Sequence, residues 1–116
     1  MLKNDAIRIC HMMDAATEAV NFIKEKVRSD LDSNRMLELA LIKCIETIGE
    51  AASNTSKECR EEFPQIPWKE IIGMRNRLIH AYFETNLAIL WETITYDIPP
   101  LINDLKNILQ SQKIIL

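Results

Sequence analysis

The sequence predicts an all-α protein, an up-and-down bundle of four to five helices in which residues 1–116 form a single domain. Three observations carry this. The chain has only two glycines and four prolines in 116 residues, too few turn formers for a fold of many short strands. Its apolar residues recur in alternating steps of three and four, the period of one helix face. Its 47% hydrophobic and 27% charged residues are the balance of a globular chain rather than a disordered one. A protein of this size buries roughly two-thirds of its unfolded surface, enough for one modest core.

The first helix opens with Asn4 as N-cap and carries Ile9, Met13, Ala16, Val20, Ile23 and Val27 on one stripe. Ser29 to Asn34 is a cluster of turn and cap formers, after which Leu37, Leu41, Cys44, Ile48 and Ala51 set a second helix running to about Cys59. Pro64 and Pro67 make Phe63–Pro67 a connector, because each lacks an N–H and disfavours the helical region for the residue before it. A third helix runs from Trp68 to about Tyr82 and carries whatever chemistry lies there. Asn86 caps a fourth with Leu87, Leu90, Ile94 and Ile98 on its apolar side, and Pro99-Pro100 breaks or restarts it ahead of Leu101, Leu105 and Ile108.

The formal net charge is −3, so the molecule as a whole is no electrostatic nucleic-acid binder, and RNA contact needs a local basic patch. Cys10, Cys44 and Cys59 show no CxxC spacing, and their odd number points to reduced thiols in a cytoplasm. A charge by the fifth residue and no run near about 18 apolar residues predict a cytoplasmic protein outside the membrane. His11 and His80 are the only histidines, too few for a tetrahedral metal set of ordinary spacing within one chain. Glycine-rich phosphate loops and nucleophile elbows are missing from the sequence. No metal or cofactor is expected.

What remains is Arg75-Asn76-Arg77-Leu78-Ile79-His80-Ala81-Tyr82, which packs two guanidiniums, an amide, an imidazole and a phenol into one stretch. Cleaving RNA without a metal requires a base for the ribose 2′-hydroxyl, an acid for the leaving oxygen and fixed positive charge at the phosphorus. His80 titrates near neutrality if unperturbed, Arg75 is a permanent cation with a fork suited to phosphate oxygens, and Asn76 orients either one. Arg77 and Lys69 add positive charge for RNA binding. On a regular helix Asn76 and His80 share a face, whereas Arg75 and His80 diverge by about 140°. Either the arginine reaches around, or two copies of the helix meet across a two-fold axis and line one cleft. Other features read as structural. Glu46 and Glu50 have the i, i+4 spacing of an acid/base pair but lie opposite the apolar stripe of the second helix, as a solvated face, and Cys10 and His11, a thiol–imidazole pair by name only, point apart as adjacent helical residues.

At this string the sequence resembles the HEPN superfamily and, within it, the HepT family of toxin ribonucleases, whose signature is Arg, four to six residues, His, any residue, Tyr. The likeness runs from about Asp5 to Leu109 and takes in Ile48-Gly49-Glu50-Ala51-Ala52, the run from Ile66 to Phe83 and Leu90-Trp91-Glu92-Thr93-Ile94. The motif falls on Arg75, Asn76, His80 and Tyr82 without a gap, with Ala81 where glycine is common. The resemblance implies a homodimeric HEPN-like bundle with a metal-independent endoribonuclease cleft between subunits. It also implies a minimal nucleotidyltransferase antitoxin as partner, which transfers AMP from ATP to Tyr82. Two other functions remain open: a non-catalytic HEPN subunit that binds a nucleotidyltransferase and presents its substrate, and a structural helical dimer. Only the ribonuclease requires Arg75, Asn76 and His80 together.

Overall fold

The computed structural model describes residues 1–78 and 85–113. Its helices are α1 (Lys3–Phe22), α2 (Asp30–Ser33), α3 (Arg35–Ser53), α4 (Lys57–Glu62), α5 (Trp68–Leu78), α6 (Leu87–Glu92) and α7 (Ile98–Ser111), with a wider, π-type turn over Thr93–Asp97 joining the last two. No strand occurs among the described residues, and the all-α expectation holds. The molecule is 19 Å across its thinnest axis, about two helix diameters. None of the helices described is long and apolar enough to cross a membrane.

The helix α3 is the centre. It packs against α1 on one flank and α5 on the other, and α1 in turn packs against α7. Asn34 caps α3 by accepting the Leu37 N–H at 3.0 Å, and Leu37, Leu41, Cys44, Ile48 and Ala51 are all buried as their spacing predicts. The helix stops at Ser53 instead of running to Cys59, because Ser56 starts a separate helix: its Oγ accepts the Cys59 N–H at 3.1 Å.

Two features of α1 differ from expectation. Asn4 does not cap it; the helix starts at Lys3 with no side-chain cap, and Asp5 in its first turn is committed elsewhere. The Asp5 carboxylate, 4% exposed, accepts the Ser56 N–H at 2.8 Å and the Ser56 hydroxyl at 2.7 Å, tying the start of α1 to the start of α4. The buried stripe is Ile9, Met12, Ala15, Ala16 and Ala19, while Val27 is 61% exposed beyond the helix end. Three alanines are a weak hydrophobic signal in sequence, yet small side chains are what let helix backbones come close.

Asn86 caps α6 as expected, accepting the Ile89 N–H at 3.1 Å, and Leu90, Ile94, Ile98, Leu101, Leu105 and Ile108 are buried. Of the two outcomes expected at Pro99-Pro100, a break or a restart, the structure shows the restart: α7 begins at Ile98 with proline in its first turn. Pro99 and Pro100 withhold the N–H groups that would bond the carbonyls of Thr95 and Tyr96, and the helix widens over Thr93–Asp97 before α7 begins.

Between α3 and α5 the contact is tight. A Cβ built on Gly49 would stand 3.3 Å from the Ile71 carbonyl oxygen, whereas one built on Gly73, in the middle of α5, would meet nothing within 4 Å. Gly49→Val should therefore lower unfolding free energy by about 1–3 kcal/mol through overpacking, and Gly73→Ala should raise it by about 0.5–1 kcal/mol through helix propensity. Urea titration of the two variants checks both signs.

Candidate active site

Pro67 marks the entry to α5, where the Trp68 indole N–H donates to the Phe63 carbonyl at 3.0 Å and seats the first turn. Trp68, Ile71, Met74 and Leu78 face the core. That burial turns Lys69, Ile72, Arg75, Asn76 and Arg77 outward. At the far end the Leu78 carbonyl accepts the Asn86 N–H at 2.7 Å, which fixes the end of α5 against the start of α6. His80 and Tyr82 belong to the stretch 79–84 between these two points and lie outside the described residues.

Arg75 and Asn76 line one open cleft of about 380 Å³, together with Glu46, Gly49, Glu50 and Ser53 of α3 and Ile72 of α5. Within it the Arg75 Nε–H donates to Glu46 Oε1 at 2.9 Å, the two side chains being 49% and 36% exposed. An ion pair this exposed is worth only about 0–1 kcal/mol, so its weight lies in orientation. With Nε engaged, no described group is hydrogen-bonded to the two terminal nitrogens of the guanidinium.

Arg77 is elsewhere. Two residues along a helix is about 200° of turn, and Arg77 lines a separate groove of about 290 Å³ with Glu70, Met74, Tyr96 and Asp97. Lys69 is exposed seven positions before Asn76, on the same side of the helix, without lining the cleft. The structure thus brings Arg75 and Asn76 together and sets Arg77 apart from them. No group of three or more His, Cys, Asp or Glu side chains placed to hold a metal ion occurs among the described residues.

The chain is similar to known proteins over most of its length. Residues 12–108 match the model of a family described as Ribonuclease HepT-like. The chain belongs to the HepT-like ribonuclease family. A protein of Caldanaerobacter subterraneus subsp. tengcongensis named as a candidate RNase is 45% identical over 96 residues, which is 79% of this chain and 86% of that one. One of Methanocaldococcus jannaschii, likewise named as a candidate RNase, is 38% identical over 93 residues, 80% of each chain. A third, from Thermococcus cleftensis, is named as a probable ribonuclease HepT and is 37% identical over 93 residues, 77% of this chain and 84% of that one. No solved structure matches the chain at a significant level.

In this HepT-like chain, Glu46 is the residue that sequence reasoning passed over. Its position opposite the apolar stripe read as solvated face, but α3 is flanked on two sides, and α5 covers that edge. A mid-helix glycine three residues later, at Gly49, was the available signal, since glycine inside a helix marks close approach.

The cysteines are free and show no activation. Burial pushes the Cys44 and Cys59 thiols from 9.0 up to about 11, with Glu18 beside Cys44 and Asp5 beside Cys59 acting in the same direction. Cys10 is also raised, by burial and then by Asp14, the opposite of a thiol primed by His11. Because the folded thiols hold their protons more tightly than the unfolded ones, their contribution to stability is complete below about pH 9 and is lost as pH rises through about 11. Urea midpoints should fall across that window by more in the parent than in a Cys44→Ala, Cys59→Ala double variant, and an equal fall in both would contradict it.

Proposed function

We propose that this HepT-like chain is a metal-independent endoribonuclease toxin that acts as a single helical domain, pairs with a second copy to complete its cleft, and is neutralised by AMP transfer to Tyr82. The observation that supports it most directly is the unbroken string from Arg75 to Tyr82 in a chain of this family, with Arg75 turned into an open cleft beside Asn76. The RNA class is left open, with tRNA among the substrates to test.

In the proposed reaction the ribose 2′-hydroxyl gives its proton to a base and its oxygen attacks the adjoining phosphorus. The bond from phosphorus to the 5′ oxygen breaks, and that oxygen takes a proton, leaving a 2′,3′-cyclic phosphate and a 5′-hydroxyl. An imidazole suits either proton transfer near neutral pH, so His80 is assigned to this step. Arg75 holds the phosphate oxygens and offsets the charge that builds on them, and Asn76 orients its neighbours. The divergence of Arg75 and His80 by about 140° on a regular helix favours a composite cleft between copies. A chain of net charge −3 gains local positive potential when two such helices meet.

Neutralisation follows from the same electrostatics. The Tyr82 phenol oxygen attacks the α-phosphorus of ATP, pyrophosphate leaves, and a nucleotidyltransferase antitoxin catalyses the exchange. Each AMP adds negative charge and bulk where RNA phosphates must enter.

Arg75→Ala and His80→Ala should each abolish RNA cleavage while leaving helix content unchanged, and wild-type cleavage should persist in EDTA with cyclic phosphate ends. Either variant cutting at the wild-type rate would contradict the assignment. Tyr82→Phe should keep cutting RNA yet escape neutralisation by a cognate nucleotidyltransferase with ATP, and intact mass should show whole AMP additions on the wild type only.

A further inference from the structure

We propose that Glu46 is a positioning residue for the cleavage step: its carboxylate holds Arg75 by Nε so that the two terminal nitrogens meet the phosphate. The proposal rests on the ribonuclease reading above.

The geometry supplies the reasons. An arginine has a long stem with several rotatable bonds, and one that is 49% exposed would otherwise sample many directions. The bond from Nε to Glu46 Oε1 at 2.9 Å biases the side chain toward one orientation. It engages Nε and leaves the two terminal nitrogens, which can meet a phosphate end-on as a bidentate pair. The backbone beneath Glu46 is held, because its helix is registered against α5 one turn away, where a Cβ on Gly49 would stand only 3.3 Å from the Ile71 carbonyl oxygen. Asn76 lies in the same cleft, so an aligned guanidinium and an amide face one volume.

A carboxylate beside a phosphate-binding cation carries a cost. It weakens attraction for a polyanion in the ground state, so a residue serving RNA affinity alone would not be acidic. Alignment gained against attraction lost predicts a split between turnover and affinity that a merely structural ion pair would not give.

The test compares wild type, E46A and E46Q in single-turnover RNA cleavage, RNA binding of the His80→Ala forms, and the NMR signal of the Arg75 Nε–H group. E46A should lose about 10- to 100-fold in rate while binding RNA as tightly as the parent or a few-fold tighter. E46Q, whose amide oxygen still accepts from Nε, should recover most of the lost rate. In E46A the Nε–H signal should shift and exchange faster with water. Wild-type rate in E46A, a loss confined to RNA affinity, or E46Q as slow as E46A would overturn the proposal. If the wild type cuts no RNA, the ribonuclease reading fails by itself. The role of Glu46 is then decided by the NMR signal and RNA affinity, with an unmoved signal or weaker binding in E46A counting against it.

Discussion

A Cβ on Gly49 would stand 3.3 Å from the Ile71 carbonyl oxygen, so α3 and α5 meet backbone to backbone, and the site follows from that meeting. The helices run antiparallel: Gly49 lies against Ile71 and Ile72, and Glu46, one turn earlier, lies against Arg75, one turn later. A single close crossing thereby sets both the register of the two helices and the partner of the motif arginine. The bond between Asn86 and Leu78 does the corresponding work at the other end of α5, holding the points where the stretch with His80 and Tyr82 leaves and returns.

The two sides of α5 present different chemistry. One opens on the cleft with Arg75, Asn76, Glu46 and Glu50, beside the apolar Ile45 and Ile72, and faces α3. The other opens on a groove lined by Ile71, Met74 and Leu101 together with Arg77, Glu70 and Asp97. A helix that buries one stripe must send its remaining residues in several directions, and two arginines spaced two apart cannot both serve one phosphate. Among the described residues lining the cleft, Arg75 is the one cation, set against the carboxylates of Glu46 and Glu50.

Much of the fold was legible because its signals are local. The steps of three and four through Leu37, Leu41, Cys44, Ile48 and Ala51, the cap at Asn86 and the connector at Pro64 to Pro67 each state their role within a few residues. What was not legible is non-local. The start of α1 depends on Asp5 reaching Ser56, fifty-one residues away, and its buried face is set by alanines that hydrophobic patterning underweights. Pro99-Pro100 reads in sequence as a break or a restart, and which of the two occurs depends on the chain absorbing two missing donors by widening one turn before α7 begins. The string from Arg75 to Tyr82 was legible as chemistry and as a family resemblance, whereas Glu46 required knowing that α3 is flanked on both sides.

The central claim is that Glu46 acts through Arg75 and by no other route. A double-mutant cycle on the RNA cleavage rate tests it most directly, with Glu46→Ala introduced into the wild type and into an Arg75→Lys background, where a lysine keeps the charge but has no Nε to receive the carboxylate. The account predicts a loss of about tenfold or more in the first background and less than about twofold in the second. Equal losses in both would show that Glu46 acts independently of the arginine and would contradict the account.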